Sequence, residues 1–240
     1  MSRIIPAVLP RSKADLDEKL ALFASFAGIT RVQIDVVDGR FAEPRSWPYG
    51  TEDELGAMAR AGEYLPQLHR IGYEVDLMCL DAESAAGYWL DLGATRLTFH
   101  AEAIHDVPRL LASAKARYGG GVDLALSHHV SFGLALNIMT DLAVIEPCLP
   151  YLEYVQLMGI ARIGRQGEAF APEAIARVKT LRSRHPELPV QVDGGVTLAH
   201  AKELFAAGAS ALVVGSGILK AEDPAKAFAA YDRLESSFAA

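Results

Sequence analysis

Short apolar runs rich in Val, Ile and Leu alternate along the chain with longer stretches of helical spacing, and this alternation narrows the possible folds more than any other feature. Apolar runs of about four to eight residues, separated by helices, are typical of buried strands in a parallel sheet. The sequence predicts eight such strands, at residues 4–9, 31–36, 74–77, 95–99, 133–136, 154–158, 189–192 and 211–214. The chain is therefore expected to consist of repeated β/α units.

The stretches between these runs carry helix signals. Leu16, Leu20, Phe23 and Ala27 lie three or four residues apart, which predicts one buried helix face. Three predicted strands are preceded by a glycine of the kind that ends a helix in the left-handed conformation, namely Gly28, Gly93 and Gly208. Eight units without a linker predict a single domain over residues 1–240, a (β/α)8 barrel or TIM barrel. A doubly wound parallel sheet is the alternative, because it is built from the same units.

The composition argues against several classes of function. The 23 Lys and Arg residues against 30 Asp and Glu residues give a net charge of −7, and no basic cluster suited to nucleic-acid phosphates is present. No apolar stretch reaches the ~18 residues of a membrane span. Cys79 and Cys148 are far apart and form neither a metal motif nor a redox motif. We expect a cytoplasmic protein with neither nucleic-acid nor membrane partners.

Carboxylates stand at the ends of three predicted strands, where a (β/α)8 barrel places its active site. These residues are Asp35, Asp76 and Asp193. Because side chains alternate along a strand, Gln33 and Asp35 are both expected to point into the barrel. Asp38 precedes a glycine and is expected to be a turn residue instead. A lone strand-end aspartate is usually a loop or capping residue, whereas three on separate strands predict a cluster at one site.

Glycine-rich loops follow the sixth, seventh and eighth predicted strands. Glycine lets backbone N–H groups approach an anion closely, and the loops after the last strands of such barrels commonly bind phosphate. The loop after the sixth strand also contains Arg162 and Arg165. The residues assigned to this phosphate site are Gly164, Arg165, Gln166, Gly167, Gly194, Gly195, Gly215 and Ser216. Together these loops predict a small phosphorylated substrate.

The chain resembles the ribulose-phosphate 3-epimerase family over nearly its whole length. The most informative segments are Ile34-Asp-Val-Val-Asp-Gly-Arg-Phe41, Asp76-Leu-Met78, Phe99-His-Ala-Glu102, Val192-Asp-Gly-Gly-Val196 and Val214-Gly-Ser216. The last two are the most specific in combination. Like the strand pattern, the resemblance implies a (β/α)8 barrel.

The resemblance also implies an activity, the interconversion of D-ribulose 5-phosphate and D-xylulose 5-phosphate by proton transfer at C3, beside the C2 ketone. It implies that Asp35 and Asp193 are the acid–base pair on opposite faces of the substrate, a geometry that inversion of a carbon centre requires. Ala7, Met78 and Met158 are implied to line the substrate site. A divalent metal and a homo-oligomer are implied as well.

The metal site departs from the family pattern. In the family two His and two Asp residues hold the metal, but Gln33 and Asp76 stand at the His positions of this chain. Ala7 similarly replaces a serine. The set of Gln33, Asp35, Asp76 and Asp193 offers oxygen ligands only, which favours Mg²⁺ or Mn²⁺ over Zn²⁺. Catalysis without any metal is the equal alternative.

Two further functions stay open. Related phosphoketose decarboxylases and aldolases carry Asp, Lys and Asp on their third strand. Asp76 and Asp81 keep that spacing here, but Met78 stands at the lysine position. The other alternative is a catalytically degenerate barrel that only binds a sugar phosphate.

Some positions have no firm assignment. His100 ends the fourth predicted strand as either a pocket or a core residue. Tyr49 or Arg45, in the long loop after the second strand, could cover the substrate. Residues 119–131 have no regular pattern and could hold a short additional strand or a surface excursion.

Overall fold

Eight parallel strands close into a barrel in the order β1 to β8. The structure is a computed structural model that describes residues 2–51, 53–119, 129–236 and 238. The strands are β1 (Ile4–Val8), β2 (Arg31–Val37), β3 (Gly72–Met78), β4 (Arg96–His100), β5 (Ser131–Leu136), β6 (Tyr154–Met158), β7 (Val190–Asp193) and β8 (Ala211–Val214). β1 pairs with β8, which closes the barrel and excludes the doubly wound sheet.

Helices surround the barrel. They are α1 (Lys13–Ala24), α2 (Glu54–Ala61), α3 (Ala82–Asp91), α4 (Val107–Tyr118), α5 (Glu173–Arg184), α6 (Leu198–Ala206), α7 (Ser216–Leu219) and α8 (Pro224–Ser236). The connection from β5 to β6 is instead a 3-10 helix over Leu142–Tyr151, which contains Pro147 and Pro150. Proline lacks the N–H group that a regular α-helix uses, so these two residues disfavour an α-helix here. In the described part of the chain no helix is both long and apolar enough to span a bilayer.

All eight predicted strands are confirmed; β1, β2, β4 and β7 differ from the prediction by one residue at an end or at both ends, and β3 and β5 differ more. β3 begins at Gly72 and β5 at Ser131, each two residues earlier than predicted, because these residues pair with Arg31 and Arg96 on the neighbouring strands. Strand pairing through the backbone does not require an apolar side chain, so the apolar pattern underestimates both strands. Gly119 follows α4 and Ser131 begins β5. The predicted irregular segment between them falls largely on residues 120–128, which lie outside the described residues.

The helix signals are confirmed with one correction. Leu16, Leu20 and Phe23 form the buried face of α1. The prediction for Ala27 is wrong: α1 ends at Ala24, so Ala27 is exposed and Phe26 packs into the core instead. The three predicted glycines have positive φ angles, +81° at Gly28, +96° at Gly93 and +100° at Gly208.

The inside of the barrel is unusually polar below its carboxyl-terminal rim. Branched apolar residues usually fill this space in such barrels. The fully or almost fully buried polar residues of the strands here include Gln33, Glu74, Thr98, Gln156 and Gln191. Gln33 is in register with Glu74, and Gln156 with Gln191. Because buried polar groups require hydrogen-bond partners, this layer is linked to the carboxylates above it.

Candidate active site

The three strand-end aspartates form one cluster inside the barrel. Asp35 and Asp76 are in register on β2 and β3, and Asp193 is the last residue of β7. One carboxylate oxygen of each residue lies within 4.8 Å of the others. Asp76 is fully buried, whereas Asp193 is partly exposed to the cavity above. The alternation argument is therefore confirmed for Gln33 and Asp35, which both point inward.

Side-chain amides hold these carboxylates in place. Nε2 of Gln33 donates to Oδ1 of Asp35 and to Oδ2 of Asp193, at 2.8 Å each. Nε2 of Gln156 donates to Oδ2 of Asp76 at 3.0 Å. Gln156 was not among the predicted site residues, although it lies two residues before Met158 and therefore on the same side of β6. The alternation rule that placed Gln33 would have placed it as well.

His100 belongs to the site through Asp76. Its Nε2 lies 2.9 Å from Oδ1 of Asp76, and both side chains are completely buried. His100 is therefore a buried residue beside the cluster at the end of β4, with Phe41 packed against its ring at a centroid distance of 5.4 Å.

Burial and the closeness of other charged groups shift the pKa values of Asp35, Asp193 and His100. Burial, followed by the charges of Asp193 and Asp76, raises the pKa of Asp35 well above the usual value for an aspartate. Burial, followed by the charge of Asp76, raises the pKa of Asp193 to about 7. Burial alone would lower the pKa of His100, but the nearby Asp76 carboxylate outweighs it and the pKa is raised. At neutral pH the aspartates can therefore include a protonated acid beside an ionised base.

A cavity extends from Asp35 and Asp193 toward the glycine-rich loops. The residues assigned to the substrate and phosphate all line it: Ala7, Met78, Met158, Gly164, Arg165, Gln166, Gly167, Gly194, Gly195, Gly215 and Ser216. Arg162 does not line it and pairs with Glu168 at 3.1 Å. Asp35, Asp193 and the residues predicted to bind phosphate therefore line one cavity.

Close contacts surround two glycines of this cavity. Gly195 has φ +66°, and a Cβ atom there would lie 2.7 Å from Cα of Phe170. A Cβ atom at Gly215 would lie 2.6 Å from Nε2 of Gln166, which itself donates to the backbone oxygen of Ala7 at 3.3 Å. Glycine at these positions lets the loops after β6, β7 and β8 meet at close range.

The loop after β2 reaches the loop after β6, but not through the residues expected. Tyr49 donates its hydroxyl to Asp81, and neither Tyr49 nor Arg45 lines the cavity. The contact is made by Arg165, whose Nε donates to the backbone oxygen of Glu43 at 3.1 Å. Asp38 is a turn residue as predicted, since its carboxylate accepts from backbone N–H groups, including that of Phe41 at 2.8 Å.

The donor set of the cluster fits a hard divalent cation. Asp35, Asp76 and Asp193 supply three carboxylates within reach of a single ion, and oxygen ligands of this kind suit Mg²⁺ or Mn²⁺. Gln33, the fourth residue assigned to the metal, turns its nitrogen toward the carboxylates and its oxygen toward Gln191. In this orientation Gln33 is a hydrogen-bond donor to the ligands.

The chain is a closed (β/α)8 barrel, and its carboxylate cluster and glycine-lined cavity lie at the carboxyl ends of the strands, where enzymes with this fold have their active sites. The model of the ribulose-phosphate 3 epimerase family matches residues 3–219, and the chain belongs to this family. It is an isomerase acting on carbohydrates, and the family resemblance seen in the sequence is confirmed.

Curated relatives agree with this assignment. A ribulose-phosphate 3-epimerase of Escherichia coli K12 is 28% identical over 244 residues, which cover 98% of this chain and 96% of the relative. One from Schizosaccharomyces pombe is 26% identical over 223 residues, which cover 93% of this chain and 89% of the relative.

Solved structures support the fold alone. A 3-hexulose-6-phosphate synthase from Salmonella typhimurium superposes with a TM-score of 0.67 at 14% identity, covering 99% of this chain and 100% of that one. An orotidine 5'-monophosphate decarboxylase from Sulfolobus solfataricus superposes with a TM-score of 0.59 at 13% identity, with full coverage of both chains. At these identities the similarity says nothing about the reaction of this chain.

Proposed function

We propose that this enzyme interconverts D-ribulose 5-phosphate and D-xylulose 5-phosphate by proton transfer at C3, with Asp35 and Asp193 as the acid–base pair. The observation that carries the proposal is that both carboxylates open into the cavity formed by the glycine-rich loops. A phosphate group in those loops would direct the sugar chain toward the two aspartates. Membership of the family supports the same reaction.

The raised pKa values suit this chemistry. One aspartate removes the C3 proton from one face of the substrate, and the other, in its protonated form, returns a proton to the opposite face. A carboxylic acid that stays protonated near pH 7 can act as the donor, and burial together with carboxylate repulsion produces this condition at Asp35 and Asp193. The two residues exchange roles when the reaction runs in reverse.

Hydrogen bonds hold the pair in position. Gln33 bridges Asp35 and Asp193 through one amide nitrogen, which fixes the spacing of their carboxylates. A divalent cation held by Asp35, Asp76 and Asp193 would supply positive charge to the oxygens of an enediolate. Mg²⁺ and Mn²⁺ are the proposed ions, because the three ligands offer only oxygen.

The decarboxylase or aldolase alternative is not favoured. That chemistry uses a lysine on the third strand, and Met78 occupies its position at the cavity wall. Among the described residues that line the cavity there is no lysine. The degenerate, non-catalytic alternative is also not favoured, because both proposed acid–base residues lie in the cavity with raised pKa values.

Solvent hydrogen exchange tests the proposal directly. In deuterium oxide the enzyme should incorporate deuterium at C3 of ribulose 5-phosphate and form xylulose 5-phosphate. Asp35→Asn and Asp193→Asn should each reduce exchange by about 100-fold or more, since each removes a general acid–base group. Asp17→Asn, on the exposed side of α1, is the matched control and should keep full exchange. Unchanged exchange in both active-site variants would remove these residues from the proposed roles.

The assembly and location of the enzyme stay predictions. A homo-oligomer is expected from the family resemblance, and light scattering after size-exclusion chromatography measures it. Cytoplasmic location is expected from the composition, and cell fractionation with an antibody measures it.

A further inference from the structure

We propose that Glu74 and Gln191, deep in the barrel, are positioning residues that orient the amides of Gln33 and Gln156 so that their NH₂ groups face the catalytic carboxylates. The catalytic meaning of this inference rests on the proposed function. The orientation itself is a property of the folded chain.

The network begins at a buried ion pair. Glu74 on β3 is completely buried, and its Oε2 accepts from Nε of Arg96 at 2.7 Å. Arg31 lies near the same oxygen at 3.9 Å. The other oxygen of Glu74 accepts from Nε2 of Gln191. Because an ionised carboxylate can only accept hydrogen bonds, Glu74 requires the nitrogen end of Gln191 to face it.

Gln191 in turn orients the side-chain amides of Gln156 and Gln33. Its Nε2 also lies 2.9 Å from Oε1 of Gln156 and 3.4 Å from Oε1 of Gln33. This NH₂ group has two hydrogens for three acceptors, so its long contact with Gln33 is a shared one. The same nitrogen still favours the orientation in which both amide oxygens face it, away from the aspartates. The oxygen of Gln191 has no hydrogen-bond partner among the described residues. An unpaired buried oxygen is unfavourable, which indicates that the nitrogen contacts determine the orientation.

The upper ends of the two amides complete the network. Nε2 of Gln33 bonds Asp35 and Asp193, and Nε2 of Gln156 bonds Asp76 at 3.0 Å and approaches Asp193 at 3.5 Å. The oxygen and NH₂ ends of a side-chain amide have nearly the same size and shape, so its hydrogen-bond partners determine which end faces which way. In the opposite orientation the oxygen of Gln33 would lie 2.8 Å from an oxygen of each aspartate, and an ionised aspartate would repel it because both oxygens can only accept.

This orientation has two consequences. Gln33 acts as a donor to the carboxylates and is not a metal ligand, so the protein ligands of a cation are the three aspartates. The proton-transfer pair is also held by groups that have no contact with the phosphate loops. Disturbing Glu74 or Gln191 should therefore reduce kcat with little change in KM.

The first test replaces Glu74 by its neutral amide. Glu74→Gln keeps the shape but can donate to the oxygen of Gln191, which allows Gln191 and the two upper amides to invert. Because this variant also leaves Arg96 without its carboxylate, Gln191→Leu is the second variant; it removes the connecting amide and preserves the Glu74–Arg96 ion pair. Glu74→Asp restores the charge and should recover part of the lost activity. Thr98→Val is the matched control, since Thr98 is buried in the same interior and its hydroxyl bonds the hydroxyl of Tyr154 at 2.8 Å.

NMR spectroscopy and steady-state kinetics measure the effect of these substitutions. In the ¹⁵N-labelled metal-free protein, the NH₂ signals of Gln33 and Gln156, assigned by their loss in Gln33→Met and Gln156→Met, should shift and exchange faster in both Glu74→Gln and Gln191→Leu. Epimerisation of ribulose 5-phosphate should show kcat reduced about 10- to 100-fold, the order typical of losing a residue that orients the groups of a site, with KM changed less than about threefold. Thr98→Val should leave both measurements as in the parent.

Two results would contradict the role of Glu74 and Gln191. Unchanged NH₂ signals in folded Glu74→Gln and Gln191→Leu would overturn the inference, as would a parent-level kcat in both variants. A parent enzyme without epimerase activity would refute the proposed function instead, and the NH₂ signals would still decide whether Glu74 and Gln191 orient the amides.

Discussion

Asp76 and His100 form a completely buried pair, with Nε2 of the imidazole 2.9 Å from Oδ1 of the carboxylate. The pair joins β3 to β4, and a carboxylate oxygen of Asp76 lies within 4.8 Å of those of Asp35 and Asp193. Nδ1 of His100 has no hydrogen bond within the described residues, and Oε2 of Glu102 lies 4.0 Å from it. The interaction with Asp76 is therefore the dominant polar contact of this ring.

Removing the imidazole should destabilise the protein. His100→Leu leaves one oxygen of the buried Asp76 without its donor, so we expect the free energy of unfolding to fall by about 3 kcal/mol. Urea unfolding measures this change. Thr98→Val, which removes a neutral hydroxyl pair in the same interior, should lose only about 1 kcal/mol. Equal losses of unfolding free energy in the two variants would mean that His100 does not stabilise the buried Asp76 carboxylate.

The stability of the metal-free enzyme should decrease between about pH 4 and pH 7. The fold raises the pKa of Asp193 to about 7. The protonated form is therefore favoured in the folded state, so its stabilising contribution is complete below the ordinary pKa of 3.8 and is lost as the pH rises through about 7. Asp35 acts in the same direction. Urea unfolding across this range in the presence of a chelator measures the effect.

The control for this pH dependence is Asp193→Asn, which has no titrating group at the position. Its unfolding free energy should fall less steeply than that of the parent over the same interval. If parent and variant have the same slope, Asp193 does not contribute to the pH dependence.

Metal binding should depend on the three carboxylates and favour hard ions. Mn²⁺ or Mg²⁺ should raise the melting temperature of the chelator-treated protein, because binding to the folded state shifts the unfolding equilibrium. Asp76→Asn removes one ligand and should weaken Mn²⁺ binding by about tenfold or more, as measured by isothermal titration calorimetry. Asp17→Asn should bind like the parent. Repeated recovery of stoichiometric zinc in protein purified without chelator would contradict the oxygen-ligand argument.

The two arginines of the loop after β6 provide a matched pair for the phosphate site. Arg165 lines the cavity, whereas Arg162 is paired with Glu168 outside it. Arg165→Met should raise KM for ribulose 5-phosphate about tenfold, the effect of losing one hydrogen bond to a charged group, and change kcat little. Arg162→Met should leave KM unchanged. Steady-state kinetics compare the two, and equal KM values in both variants would exclude Arg165 from the phosphate site.

Much of the fold follows from local pattern. Apolar runs determine where strands lie, since burial on both faces of a parallel sheet requires apolar side chains along the whole strand. Alternation of side chains along a strand places Gln33 and Asp35 on one side of the sheet. Active sites of (β/α)8 barrels lie at the carboxyl ends of the strands, which makes Asp35, Asp76 and Asp193 the candidate site residues. Ala27 was misplaced because the helical spacing continues past Ala24, where the backbone leaves the helix.

The sequence by itself determined the eight β/α units, the three strand-end aspartates and the glycine loops, because each depends on neighbouring residues and their periodicity. Only the tertiary structure decided that Gln156 reaches Asp76, that His100 pairs with Asp76, and which end of Gln33 faces Asp35 and Asp193. These contacts join residues from different strands, and closure of the barrel brings them within hydrogen-bond distance. Their geometry depends on the register of all eight strands at once, which no local pattern contains.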